Sequence, residues 1–468
     1  MTDLTIRNLT ATPLELKLVE RFDGQPVKNG GDNRMGNITS RITGIFNSSS
    51  VAPNVTPQGD ARDRRDVSIP LPCFGNTTTD VKAADPNGRE VVRLTFESEG
   101  HRYEVDVPTS SRRSTVLKKL DDGPREFTAV YVASGSCLSI FSSANLGSWM
   151  QELRDDWPLS ALSIPGTHNS PTCHVALPSV RCQAANVREQ LDNGVRFFDV
   201  RVQTSPDNSD LILVHSAFPI SLTGNKYFHD MLNDVYAFLD ANRSETLIMS
   251  LKREGTGKGT DQQLSKYLRD RYCGDGNRWF TEPRIPRLGE ARGKVVLLRR
   301  YGNDESLNGE HGGRGFGLDT SEWPDNCDDK VTGGPGLARV QDFYEMDQSH
   351  NIGKKIDLAR AHLERAGEPT CPFGDPAAPD HLPFFVNFLS ASNFFNANCW
   401  PEKIAAKVNP AIVEYLCLNH GEAGRGPNNL GVGDACTGIV VTDWVGLGGD
   451  WDLIRCIVGW NARLQLKQ

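Results

Sequence analysis

The sequence predicts an α/β protein in two parts: an all-β, sandwich-like domain over residues 1–140, then a (β/α)8 barrel over residues 145–468. Three observations lead there. A chain of 468 residues exceeds what one core usually fills. Its first part reads as short apolar or alternating runs, and its second part alternates such runs with helix-length segments.

In the first part the runs are LTIRNLT, LELKLVERF, RDVSIPLPCF, EVVRLTFES, HRYEVDVP and FTAVYVA. Gly, Pro, Asn and Asp punctuate them and no long helical period appears, which points to antiparallel pairing. Gly30 to Arg65, rich in Asn, Ser, Gly and Arg, reads as a long loop. The basic runs RDRR (Arg62–Arg65) and SSRRSTVLKK read as solvated faces, with contact to anionic lipid as the alternative.

In the second part eight strand-like runs follow: LSALSI, VRFFDVRV, LILVHS, TLIMSLK, KVVLLRRY, ARVQDFY, FFVNFLS and TGIVVTDW. Segments such as NKYFHDMLNDVYAFLDAN and KKIDLARAHLERA lie between them with helical spacing. Strands alternating with helices pair in parallel, and eight such units close a barrel. No GxGxxG follows the first run, which weighs against a doubly wound dinucleotide fold.

The formal net charge of -8 weighs against nucleic acid as a partner. No stretch reaches the ~20 apolar residues of a membrane span, and Met-Thr-Asp-Leu-Thr-Ile-Arg lacks the features of a secretory signal. A cytoplasmic protein, peripheral at membranes, is therefore expected. The eleven cysteines include no CxxC pair and read as reduced, buried thiols, with a few disulfides as the alternative.

Chemistry in a barrel collects where the strands end. The first run ends in Gly-Thr-His168-Asn169, the second carries Asp199 and Arg201 on one face, and the third ends at His215. The fourth gives Lys252 and Glu254, the fifth Arg299, Arg300 and Tyr301, the sixth Asp342 and Tyr344, and the last Asp443. Singly, each has a plain structural reading: a cross-strand ion pair, a hydrogen-bonded histidine, a solvated edge. Together they imply a polar site at the mouth, because so many unpaired buried charges would cost several kcal/mol each. Two imidazoles supply a base and an acid, and a guanidinium matches a phosphate in transit. That inventory describes phosphodiester cleavage.

Over Trp149 to Gly459 the strings SIPGTHNS, GVRFFDVRV, LVHS, SETLIMSLKREG, RGKVVLLRRYG, VQDFY and VTDW resemble, in order and spacing, the phosphatidylinositol-specific phospholipase C X-domain superfamily, bacterial type. The resemblance implies a distorted TIM-type barrel and cleavage of phosphatidylinositol to diacylglycerol and inositol 1,2-cyclic phosphate. It implies His168 as general base, Asp443 as its orienting carboxylate, His215 as general acid and Arg201 as phosphate clamp. Lys252, Glu254, Arg300, Asp342 and Tyr344 are implied at the headgroup, with Asp199 in the catalytic set. Bacterial-type members commonly carry aspartate after the first histidine, where this chain has Asn169. Calcium-dependent members have an acidic pair where this chain has Asp199-Val200-Arg201, so no metal or other cofactor is expected, Arg201 disfavouring Ca²⁺.

The expected partner is a membrane surface containing phosphatidylinositol, with glycosylphosphatidylinositol anchors as a further substrate. Phe218, Phe394, Phe395 and Trp400 read either as a docking rim or as residues packed beneath their loops. The alternatives are a non-catalytic lipid- or glycan-binding barrel and a phosphodiesterase acting on another phospholipid.

Overall fold

The computed structural model describes residues 2–26, 55–85, 89–108, 114–204, 210–334, 336–372 and 382–467. The chain divides into two compact units. One takes Met1–Ala144 with Val413–His420 and Ala462–Lys467, and the other takes Asn145–Ile412 with Gly421–Asn461. Two late stretches therefore join the first unit, which a single boundary near residue 140 does not foresee. Within that unit Arg7, buried on its strand, donates to the carbonyls of Cys417 and His420 at 2.7 and 2.9 Å.

The first unit holds two five-stranded sheets. One runs in the order 75–82, 3–9, 137–142, 127–132, 114–116, the other 55–71, 14–26, 90–98, 101–107, 118–119. Inward residues of both, among them Ile6, Leu16, Leu94, Phe96, Phe127 and Ile140, form one core cluster. The pairing departs from the antiparallel expectation once: Asp3–Leu9 runs parallel to Cys137–Ser142. These strands lie at opposite ends of the unit's sequence, so no hairpin dictates their direction. The segment read as a loop from Gly30 to Arg65 is strand from Val55 onward, and its earlier part lies outside the described residues. The RDRR run sits on that strand, with Arg62 beside Asp23 and Glu90, Arg64 beside Glu20, and Arg65 beside Asp80. Of SSRRSTVLKK, the residues before Ser114 lie outside the described residues, and Lys118 and Lys119 pair with Glu104 and Glu126.

The second unit is a mixed α/β structure on a curled sheet. Its main strands are β1 (Ile164–Thr167), β2 (Phe197–Thr204), β3 (Leu211–His215), β4 (Leu247–Arg253), β5 (Val295–Arg300), β6 (Ala338–Gln341), β7 (Phe384–Phe388) and β8 (Ile439–Thr442). The parallel order is β5-β4-β2-β1-β8-β7-β6. Helices Phe228–Ala241 and Ile352–Gly367 occupy the predicted helical segments. Two expectations are corrected. The barrel is not closed by strand pairing: among the described residues no ladder joins the β5 side, which ends in Trp279–Phe280 and Leu318–Asp319, to the β6 side, which ends in Lys330–Thr332. And β3 leaves the parallel path, pairing antiparallel with β2. The stretch between Thr204 and Leu211 is too short for the crossover that a parallel neighbour requires.

The first run is also shifted. Leu159–Ala161 forms a 3₁₀ turn, and the strand is Ile-Pro-Gly-Thr itself. Gly166 faces Phe197 on β2, where an added Cβ would lie 2.9 Å from the ring, so the strand pair needs glycine there. Just before β2, Arg196 is fully buried. It pairs with Glu245, also fully buried, at 2.8 Å and donates to the carbonyls of Leu191, Val195, Leu146 and Gly147. The guanidinium thus ties the start of β2 to the segment that enters the unit. Replacing Arg196 with Met is expected to lower unfolding stability by roughly 3–5 kcal/mol, because Glu245 would keep a buried charge without its partner; urea denaturation of the full chain measures it.

Candidate active site

Three of the strand ends that contribute a polar residue turn sharply away from the sheet. Asn169 after His168, Ser216 after His215 and Trp444 after Asp443 all adopt left-handed backbone, with φ of 43°, 53° and 53°. None is glycine, so each turn carries a conformational cost of order 1 kcal/mol or more. Such turns aim the preceding side chain into the mouth instead of along the sheet. The Pro-Gly-Thr-His-Asn-Ser stretch thus ends β1 and presents His168.

The two imidazoles meet edge to face with ring centroids 5.8 Å apart. His168 Nδ1 lies 2.9 Å from Asp443 Oδ1, and His215 Nδ1 lies 2.9 Å from the Val180 carbonyl. Each ring is therefore oriented through Nδ1, which leaves Nε2 turned to other partners. The Gln183 amide holds both the His168 and the Thr442 carbonyls, fixing the β1 and β8 ends relative to each other.

Beside the histidines, registry sets a row of cations. Arg201 on β2 pairs in register with Lys252 on β4, and Lys252 with Arg300 on β5. Like charges abreast repel, and the chain answers with interleaved carboxylates. Arg201 donates to Asp199 Oδ2 at 3.2 Å and to Glu254 Oε1 at 3.1 Å. Lys252 donates to the same Glu254 oxygen at 2.8 Å, and Arg300 reaches Asp199 Oδ1 at 3.5 Å. Burial alone would raise the Asp199 and Glu254 carboxyls, but the Arg201 guanidinium, joined by Arg300 at Asp199 and Lys252 at Glu254, holds both well below the usual carboxylate range. The Nε groups of Arg201 and Arg300 are buried and find no partner among the described residues. These are donors in want of an anion.

The same carboxylates reach the histidine turns. Asp199 Oδ2 accepts the Asn169 N–H at 3.2 Å, and Glu254 Oε2 accepts the Ser216 N–H at 2.8 Å. Arg201 is thus tethered to the His168 turn through one carboxylate and to the His215 turn through the other.

Proton placement follows from these contacts. Burial works against charge on His168, but the Asp443 carboxylate outweighs it and carries that imidazole up to about 10. Burial, then Arg201 and His168, push His215 down to about 4. Between those limits the pair holds one proton, on His168.

Asn169 presents Nδ2 to His168 Nε2 at 3.1 Å, and its buried Oδ1 has no partner among the described residues. It contacts His168, not the second histidine. An amide can turn either its N–H or its oxygen to that nitrogen as the proton comes and goes, which a carboxylate cannot.

Arg299 faces the opposite side of β5, pairing with Asp319 at 2.6 Å, as strand alternation requires. Asp342 joins the cluster through Trp323, whose Nε1 donates to Asp342 at 3.0 Å while its ring lies 4.0 Å beneath the Arg300 guanidinium. Tyr344 spends its hydroxyl on Asp325 and its amide on Asn326. Trp323 and Gln183 were not foreseen, since both sit in connections rather than at strand ends. Cys73, Cys173, Cys182, Cys273, Cys327, Cys399, Cys417 and Cys436 are free thiols.

Comparison with known proteins now bears on this arrangement. The family model for the phosphatidylinositol-specific phospholipase C X domain matches residues 156–301. The 1-phosphatidylinositol phosphodiesterase of Listeria monocytogenes is 30% identical over 224 residues, 45% of this chain and 68% of that protein. This chain belongs to the phosphatidylinositol-specific phospholipase C X-domain superfamily. The enzyme of the same name from Staphylococcus aureus strain Newman is 28% identical over 316 residues, 64% of this chain and 88% of that protein. A solved Staphylococcus aureus phosphatidylinositol-specific phospholipase C superposes with a TM-score of 0.52 at 25% identity, covering 68% of this chain and 97% of that one.

The placement of charge in this X-domain site is open to direct measurement. A raised imidazole keeps its proton to higher pH, so the His168 resonances in a histidine NMR titration are expected to stay in the imidazolium form until about pH 10. Asp443→Asn is expected to bring that transition down towards neutrality; an unshifted transition would refute the assignment of its cause.

Proposed function

We propose that this protein is a phosphatidylinositol-specific phospholipase C that releases diacylglycerol and inositol 1,2-cyclic phosphate without calcium. The reading rests on the edge-to-face histidine pair flanked by Arg201. The names of its relatives support the same substrate.

The inositol 2-hydroxyl attacks phosphorus, forming a P–O bond as its proton passes to His168 Nε2. Asp443 stabilises the imidazolium that results. The bond from phosphorus to the glycerol oxygen breaks, and His215 Nε2 gives that oxygen its proton. Arg201, through the nitrogen that lacks a partner, takes the charge that gathers on the phosphate oxygens. These roles require the single proton of the pair to lie on His215. A phosphate anion beside Arg201 supplies that bias, since negative charge there favours the proton on the nearer imidazole. Lys252, Arg300 and Asp342 suit the hydroxyl groups of an inositol ring.

Calcium independence follows from how the acids are used. Asp199 and Glu254 are both committed to Arg201, and a guanidinium already sits where a cation would neutralise phosphate. The two-sheet unit, which we read as a sandwich, is assigned no activity. No described helix is long and apolar enough to cross a membrane.

Docking to a bilayer falls to the aromatic rim. Phe395 is 94% exposed and Phe394 42%, so the reading that packs them beneath their loop fails. Phe218 and Phe394 stack with centroids 5.8 Å apart, and Trp400 Nε1 donates to the Phe394 carbonyl. Exposed apolar rings at one place are surface that water disfavours and a lipid interface accepts.

Phosphorus NMR on phosphatidylinositol vesicles tests the reaction. A cyclic phosphate signal is expected with wild type in excess chelator, and none with His168→Ala; activity that returns only when calcium is added back would overturn the metal-free assignment. Phe394→Ser with Phe395→Ser is expected to weaken vesicle sedimentation several-fold while leaving cleavage of a soluble, short-chain substrate intact. Unchanged sedimentation by the folded variant would remove the docking role.

A further inference from the structure

Acid–base catalysis does not account for one group in the barrel mouth. Cys182 is buried beside both imidazoles, and ligand atoms of His168, Cys182 and His215 all lie within 4.8 Å of one another. Among the described residues they form the single such group of three donors. We propose that His168, Cys182 and His215 form a binding site for a thiophilic divalent cation of the zinc class, and that its occupancy switches the histidine pair off. The binding claim stands on geometry alone; the switch rests on the phospholipase reading above.

The donor set chooses the ion. Two imidazole nitrogens and one thiolate suit zinc, cadmium or cobalt, whereas calcium and magnesium require oxygen ligands. A tetrahedral shell with metal–nitrogen bonds of about 2.0–2.1 Å and a metal–sulfur bond of about 2.3 Å sets its donors roughly 3.3–3.6 Å apart. Cys182 Sγ lies 3.8 Å from His215 Nδ1, the nitrogen that also meets the Val180 carbonyl. Closing the remaining distances takes side-chain shifts of about 1 Å, within the reach of two part-exposed histidines.

The surroundings are built as those of zinc-ligating imidazoles usually are. One nitrogen of His168 is held by a carboxylate and one of His215 by a backbone carbonyl, which fixes each ring; a metal on the Nε2 atoms displaces the Asn169 amide from His168. The cysteine backbone is pinned on both sides: its N–H donates to Thr172 Oγ1 at 3.1 Å, and its carbonyl accepts from Trp444 N–H at 2.9 Å. Three protein ligands leave a fourth position, which water fills.

Binding is a simple exchange. The S–H bond of Cys182 and the Nε2–H bond of the His168 imidazolium give way to bonds to the metal, both protons pass to solvent, and no electron is transferred. The thiolate and the Asp443 carboxylate behind His168 offset the charge of the ion against neighbouring Arg201. With both imidazoles ligated, neither can take or give a proton in the proposed reaction.

Cobalt(II) is the probe, added to the full chain freed of metals. A thiolate-to-cobalt charge-transfer band is expected, saturating at one ion per chain and displaced by zinc. It should vanish in Cys182→Ala and Cys182→Ser, and His215→Ala should weaken cobalt binding roughly tenfold or more. Two replacements with unchanged urea midpoints guard against mistaking misfolding for a lost ligand. No band in wild type, or an undiminished band in Cys182→Ala, overturns the site. Zinc, but not equal calcium, is expected to inhibit phosphatidylinositol cleavage in wild type, with roughly tenfold or more zinc needed in Cys182→Ala; equal sensitivity overturns the switch. A chain with the cobalt band and no lipase activity would refute the proposed function and leave the site standing.

Discussion

The Arg201 guanidinium, held between Asp199 and Glu254, is the interaction on which the mouth of the barrel depends. Buried alone, this cation would cost several kcal/mol. Its two carboxylates remove that cost and do a second task. Each also accepts a backbone N–H from the turn after a histidine, Asn169 on one side and Ser216 on the other. Remove the guanidinium, and both turns lose the charge that keeps their acceptor ionised. Position and charge in this site are therefore set by one network rather than by separate contacts.

The network explains how strained backbone is kept. Ser216 and Trp444 hold left-handed conformations that their side chains disfavour, and Asn169 holds one that asparagine tolerates better. Hydrogen bonds to Asp199 and Glu254 secure Asn169 and Ser216, and the Cys182 carbonyl secures Trp444. The left-handed turns after β1, β3 and β8 aim two imidazoles and a carboxylate at a shared space. Parallel strands supply the rest: registry places Arg201, Lys252 and Arg300 abreast, which no single strand could do.

Asymmetry in the histidine pair arises from the same local charges. Asp443 faces His168 alone, while Arg201 bears on His215, so burial that would discharge both rings is countered at only one. The family to which the chain belongs supplies the setting for this chemistry, and the chain's own residues supply its particulars. Asn169 is an amide able to serve His168 in either protonation state, and Cys182 brings sulfur to a cleft otherwise furnished with oxygen and nitrogen.

Much of this was legible in the chain itself. Polar residues at the ends of apolar runs located ten of the clustered side chains, because a strand's length and alternation already say which residue sits at its tip and on which face. Alternation alone separates Arg300, in the cleft, from Arg299, outside it. The antiparallel β3 was also within reach, through the shortness of the stretch before it. Trp323, Gln183 and Cys182 were not, since loops carry no period from which direction can be read. What the sequence determined by itself was the strands, their tips and the kinds of charge they carry, all of which are local properties. What only the tertiary structure decided was the partnership of those charges, the break in the barrel and the exposure of Phe394 and Phe395, because each depends on how segments distant in sequence meet in space.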